Sequence, residues 1–95
     1  MATQFRDSTR AYGTIERVAV SSTSAQNATA IAASEVMLHA STKLYYLIGT
    51  NPTVTASTGI PLEAGEKFHT QITPGQKIAF IRDSADGYVH VVQVL

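Results

Sequence analysis

The apolar positions of this chain fall in short runs separated by Gly, Pro, Asn, Asp, Ser and Thr. Such punctuation predicts an all-β fold, an antiparallel sandwich or barrel of about eight short strands, rather than a helical domain. Tyr12–Val20 carries aromatic and β-branched residues and reads as a strand. Ser21–Ala33 reads as a loop entering a short strand near Thr29–Ala32, because its Ser/Thr load and lack of caps disfavour a helix. Glu35–Ala40 and Lys43–Gly49 follow, the second halted by Gly49-Thr50-Asn51-Pro52, where proline has no N–H to give a ladder. Thr53–Gly59 is a polar loop, and Ile60–Leu62 is a short strand closed by Glu63-Ala64-Gly65. Glu66–Ile72 alternates, with Phe68 and Ile72 opposite Lys67, His69 and Gln71. Thr73-Pro74-Gly75 is a turn in which proline presets φ and glycine accepts a positive one. Lys77–Arg82, a hairpin loop over Asp83–Gly87, and a final strand over Tyr88–Leu95 complete a single β-sandwich domain over residues 12–95.

Three strands depart from the inward-apolar, outward-polar alternation of a two-layer sandwich. In Lys43–Gly49, Tyr45 and Leu47 oppose Leu44, Tyr46 and Ile48; in Tyr88–Leu95, Val92 and Val94 alternate with Val89 and Val91. Lys77–Arg82 likewise sets Ala79 and Ile81 against Ile78 and Phe80. A chain of this size buries roughly two thirds of its surface, leaving little material to cover a second apolar face. The pattern therefore predicts a homo-oligomer with Tyr45, Leu47, Val92 and Val94 at the contact, each buried side chain contributing about 1.5–3 kcal/mol. Residues 1–11 read differently, as an extended N-terminal arm too polar to nucleate structure. The expected contacts of this arm with a partner surface are Phe5, Arg6, Arg10 and Tyr12, aromatic anchors beside charge-directed arginines.

Composition narrows the function classes. Seven Lys and Arg balance seven Asp and Glu, which argues against a basic surface for nucleic acid or anionic lipid. Tyr12, Tyr45, Tyr46, Phe68 and Phe80 could form a stacking platform, yet basic residues are not interleaved with them. The absence of cysteine excludes disulfides, thiolate catalysis and thiolate metal sites. No apolar run approaches the roughly 18 residues of a membrane span, and the polar first residues predict no secretory leader. Cytosolic synthesis is the expectation.

Candidate chemistry is sparse. His39, His69 and His90 lie on three different predicted strands without a local pair such as H-x-H, so the sequence predicts no metal site and no cofactor. No serine sits in a nucleophile elbow. Glu63 and Glu66 flank a glycine turn, and Asp83 and Asp86 a loop, without the walls of a sugar cleft or a full calcium-ligand set. Asn27-Ala28-Thr29 matches a glycosylation acceptor, a triplet frequent by chance. The chain is not expected to be an enzyme.

The run Tyr45–Ser57 (YYLIGTNPTVTAS), with Ile60–Ile81 and Gly87–Leu95, resembles the strand-and-turn arrangement of small structural proteins of tailed bacteriophages. It departs from that arrangement at Pro61-Leu62-Glu63, where the order of proline and leucine is changed, and the resemblance leaves the arm unmatched. What the resemblance implies is a jelly-roll-like sandwich acting as a capsid decoration, or cement, protein. Such a protein would be a homotrimer on the outer surface of a phage head, bound to the major capsid protein after assembly in the host cytoplasm. An alternative is a receptor- or glycan-binding module of a fibre or tail, using Asn51, Thr53 and Asp86.

Overall fold

The structure, a computed structural model, describes residues 11–95. Phe5, Arg6 and Arg10 of the expected arm lie outside the described residues. Eight strands follow: β1 (Tyr12–Val20), β2 (Ala25–Gln26), β3 (Glu35–Ala40), β4 (Leu44–Gly49), β5 (Ile60–Leu62), β6 (Lys67–Gln71), β7 (Lys77–Arg82) and β8 (Gly87–Val94). They form two four-stranded antiparallel sheets, sheet A ordered β1-β8-β3-β6 and sheet B ordered β2-β7-β4-β5. Among the described residues there is no helix. The pairs β1·β8, β2·β7, β3·β6 and β4·β5 make one long antiparallel ribbon, in which the second half of the chain runs back along the first. Rolling that ribbon adds the pairs β3·β8 and β4·β7 and closes two layers, which is the jelly-roll strand order.

The inward faces supply the core. Val36, Leu38, Leu44, Ile78, Phe80 and Val91 are buried between the sheets. Phe68 pairs with Leu38 and faces the same way, but it stays partly exposed because β6 is an edge strand of sheet A.

Two local expectations are corrected. The Asp83–Gly87 segment is not a hairpin: β7 and β8 belong to different sheets, and the segment crosses between them. The start of β8 is taken instead by the end of β3, where Ser41 N donates to Tyr88 O and Tyr88 N donates to Ser41 Oγ, both at 2.9 Å. The short strand near Thr29–Ala32 is displaced to Ala25–Gln26. It stops at Asn27 because the Asn27 side chain takes over the ladder, its Oδ1 accepting from Ile78 N at 2.8 Å and its Nδ2 donating to Thr29 O. Ile31 is buried nonetheless, held between the backbone of Gln76 and Gly75.

A loop also packs on one of the doubly apolar strand faces. The 50–59 loop, between β4 and β5, lies over the outer face of sheet B. Gln26 on β2 donates to Asn51 Oδ1 and Pro52 O, and Val54 N donates to Ser24 Oγ. Beneath it Ala79 is 0% exposed, and Val54 itself is 1% exposed. A side chain at Gly59 would meet Tyr45 Cβ and Val54 Cγ2, each at 2.6 Å, so glycine permits the loop to close on the strand. The chain itself thus covers the part of this outer face around Ala79, while Tyr45, Leu47 and Ile81 beside it stay partly exposed. The cover is a loop that reads as merely polar in sequence.

Elsewhere the turn chemistry holds. Gln76 N bonds to Thr73 O at 3.1 Å and Gly75 has φ 98°, the geometry a Pro-Gly pair supplies.

Candidate functional site

The outer face of sheet A carries exposed Tyr12, Ile15 and Tyr88 around Val92 and Val94, which are themselves buried. Its composition follows from register. Across β1, β8, β3 and β6, one row of directly opposed residues reads Tyr12, Val94, Glu35, Gln71, and the next Ile15, Val92, Met37, His69. A third row reads Arg17, His90, His39, Lys67, and Ala19 opposes Tyr88 beyond it. The face is therefore apolar at one end and rich in histidine and fixed cations at the other.

Tyr12 and Ile15 stand three residues apart and would point to opposite faces of a regular strand. A bulge between them restores the match: Tyr12 pairs with Val94 and Ile15 with Val92, so both side chains join the apolar end. Tyr12 is 49% and Ile15 61% exposed, while Val92 and Val94 are 5% and 7% exposed. Two further rings extend the surface. The Arg17 guanidinium lies 4.9 Å from the Tyr88 ring centroid, and Tyr88 meets His90 edge-on at 5.4 Å. His90 and His39 lie near-parallel with centroids 6.4 Å apart, and Tyr12 leans toward His69 at the same separation.

The structure brings together some of the residues the sequence singled out and separates others. Tyr12, Val92 and Val94 share the outer face of sheet A. Tyr45 and Leu47 occupy the opposite side of the sandwich, on the outer face of sheet B, opposed to Ile81 and Ala79. Tyr45 donates its hydroxyl to Asp83 Oδ1 at 2.8 Å, and that bond holds the phenol's pKa above its ordinary value. Asn51 and Thr53 lie in the loop that leaves β4 at Gly49, whereas Asp86 pairs with Arg82 at the other end of sheet B, opposite Leu44. The three form no common site.

The histidine row was not visible from spacing along the chain. Parity within β8 already sets His90 on the face of Val92 and Val94, but the pairing of His90 with His39 needed the strand order. Among the described residues no group of three or more metal-ligating side chains is placed to hold an ion. Asn27 is 1% exposed and both ends of its amide are engaged, so in the folded chain it is a structural latch rather than a glycosylation acceptor.

Two open hollows complete the surface. One of about 540 Å³ lies between Ser34, Ile48 and the 71–76 turn, at the end of the sandwich. The other, about 410 Å³, lies between β1 and the 28–32 segment. Polar groups at its edge are already spent: Glu16 accepts from Ala28 N, and Gln93 Oε1 accepts from Ala32 N and Ala33 N.

Comparison with protein-family models, with curated proteins and with solved structures gives no match. The fold itself is shared by capsid, lectin and small-molecule-binding proteins, so function has to be argued from the surface.

Proposed function

We propose that the protein is a structural component of a phage particle, a decoration protein that docks on the outer surface of a head and ties coat subunits together. The observation that carries this reading is the asymmetry of the two broad faces. One is partly covered by the chain's own loop, while the other carries the exposed side chains of Ile15, Tyr12 and Tyr88. Exposed aromatic and aliphatic anchors beside an arginine are the make-up of a protein-binding core. The resemblance of residues 45–81 and 87–95 to phage structural proteins supplies the head and the threefold association, and the jelly-roll strand order is compatible with it. The N-terminal segment joins the sandwich at Tyr12, on the border of the same face, so an arm and a docking face would act on one partner.

Under this reading the function is mechanical: added contact area opposes the outward pressure of the packaged genome. The test is co-sedimentation of the purified protein with emptied phage heads, together with its mass in solution by light scattering. A trimer that binds heads, and loses them on deletion of residues 1–11 without losing its mass, supports the assignment. A monomer with no affinity for heads refutes it.

A further inference from the structure

We infer that the histidine end of the sheet A face receives an acidic protein surface, and that acidification strengthens its grip. This rests on the docking reading above and adds the partner's chemistry and a control. Arg17, His90, His39 and Lys67 occupy one row of directly opposed positions across all four strands. At a strand spacing of about 4.8 Å, the row is roughly 14 Å long, with a permanent cation at each end. Histidine is the side chain that gains its charge between about pH 8 and pH 5. The row thus sets two imidazoles between two permanent cations.

The groups facing the row from every strand of the sheet are few. Tyr88 lies under Arg17 and meets His90 edge-on, His69 adds a further imidazole beyond Met37, and Tyr12 leans on His69. Glu35 is the single acid among the described strand positions of this face, and it sits at the apolar end, two rows from the histidines. Protonation of His39 and His90 therefore meets two cations and no carboxylate within the row. An external carboxylate surface relieves that repulsion, which makes its binding and the uptake of protons mutually reinforcing. The charges also disfavour a bound metal cation between the two rings.

Exposed Ile15 and half-buried Met37 in the adjoining row, with exposed Tyr12 beyond them, favour a protein over a nucleic acid as the occupant, since apolar anchors beside a charged rim fit the former. A second copy is a poorer match. Of the acids near the surface, Glu63, Asp83 and Asp86 already contact Lys43, Tyr45 and Arg82 of the same chain.

The test is fluorescence anisotropy of labelled poly-L-glutamate titrated with the full chain at about pH 5.5 and about pH 8, beside single-stranded DNA of equal charge. Poly-L-glutamate should bind roughly five- to tenfold more tightly in acid, the gain of a few exposed charge pairs. The double variant His39→Gln/His90→Gln should keep the affinity seen at pH 8 and lose the gain. Arg17→Ala should weaken binding at both values, and Lys77→Ala, on the other sheet, should change neither. Equal affinity at the two pH values, or a pH response surviving the double variant, overturns the inference. Preference for DNA, or acid-induced self-association without poly-L-glutamate binding, overturns the choice of partner. Head binding that persists while poly-L-glutamate fails leaves the docking role standing and removes only this inference.

Discussion

The Asn27 amide ties together two segments distant in sequence. Asn27 sits at the end of a two-residue strand, and its side chain does what a third ladder residue would do, accepting from Ile78 N while its own N–H groups reach Thr29 O. Removing it leaves a buried donor and an acceptor without partners, a penalty of about 1–3 kcal/mol. Asn27→Ala should therefore lower the melting temperature by about 4–8 °C for each kcal/mol lost, in a calorimetric scan of the full chain. Asn27→Asp keeps the acceptor for Ile78 N but turns an oxygen onto Thr29 O and buries a carboxylate, so at neutral pH it should be at least as destabilising as Asn27→Ala. Tyr46 acts in the opposite pH range. Its ring is buried against Phe68, and burial first, then the charge of Glu66, raise the phenol's pKa above its ordinary value. The folded state then holds that proton more tightly than the unfolded chain. Its contribution is complete below about pH 10 and is lost as pH rises toward the raised value. Melting curves in alkaline buffer should fall more steeply for the parent protein than for Tyr46→Phe.

Strands and turns were legible to the degree that their signals are local. Seven of the eight strands occur where β-branched and aromatic runs sit between breakers, and the Pro-Gly turn at Thr73–Gln76 forms as its chemistry requires. What sequence could not show is which strands pair, because pairing in this fold joins residues as distant as Tyr12 and Val94. The hairpin expected at Asp83–Gly87 failed for that reason: turn residues mark a reversal but not the sheet in which the next strand lands. The cover over sheet B was equally hidden. Thr50–Gly59 has the composition of a solvated loop, and only its bonds to Ser24 and Gln26 reveal that it lies flat. Gly59→Ala probes this element directly, since the added methyl overlaps Tyr45 Cβ and Val54 Cγ2. Overpacking of this kind costs about 1–3 kcal/mol. Amide exchange should speed up across the loop and at Ala79 while β1 and β8 keep their protection.

For the molecule as a whole, the two broad faces differ in what holds them, and that difference can separate binding from stability. Leu47 is half-buried on the partly covered outer face of sheet B, opposite buried Ala79, so Leu47→Asp sets a charge beside apolar neighbours and should destabilise the fold by about 1–3 kcal/mol. Ile15 stands open on sheet A, where Ile15→Glu alters little of the isolated chain, within about 0.5 kcal/mol. Binding to phage heads should respond in the reverse order at a temperature where both variants are folded. Ile15→Glu places a charge in the apolar centre of the docking face and should cost tenfold or more in affinity, about 1.4 kcal/mol. Folded Leu47→Asp should bind as the parent does. Co-sedimentation paired with melting curves reads both effects, and loss of head binding by Leu47→Asp alone would move the docking face to sheet B.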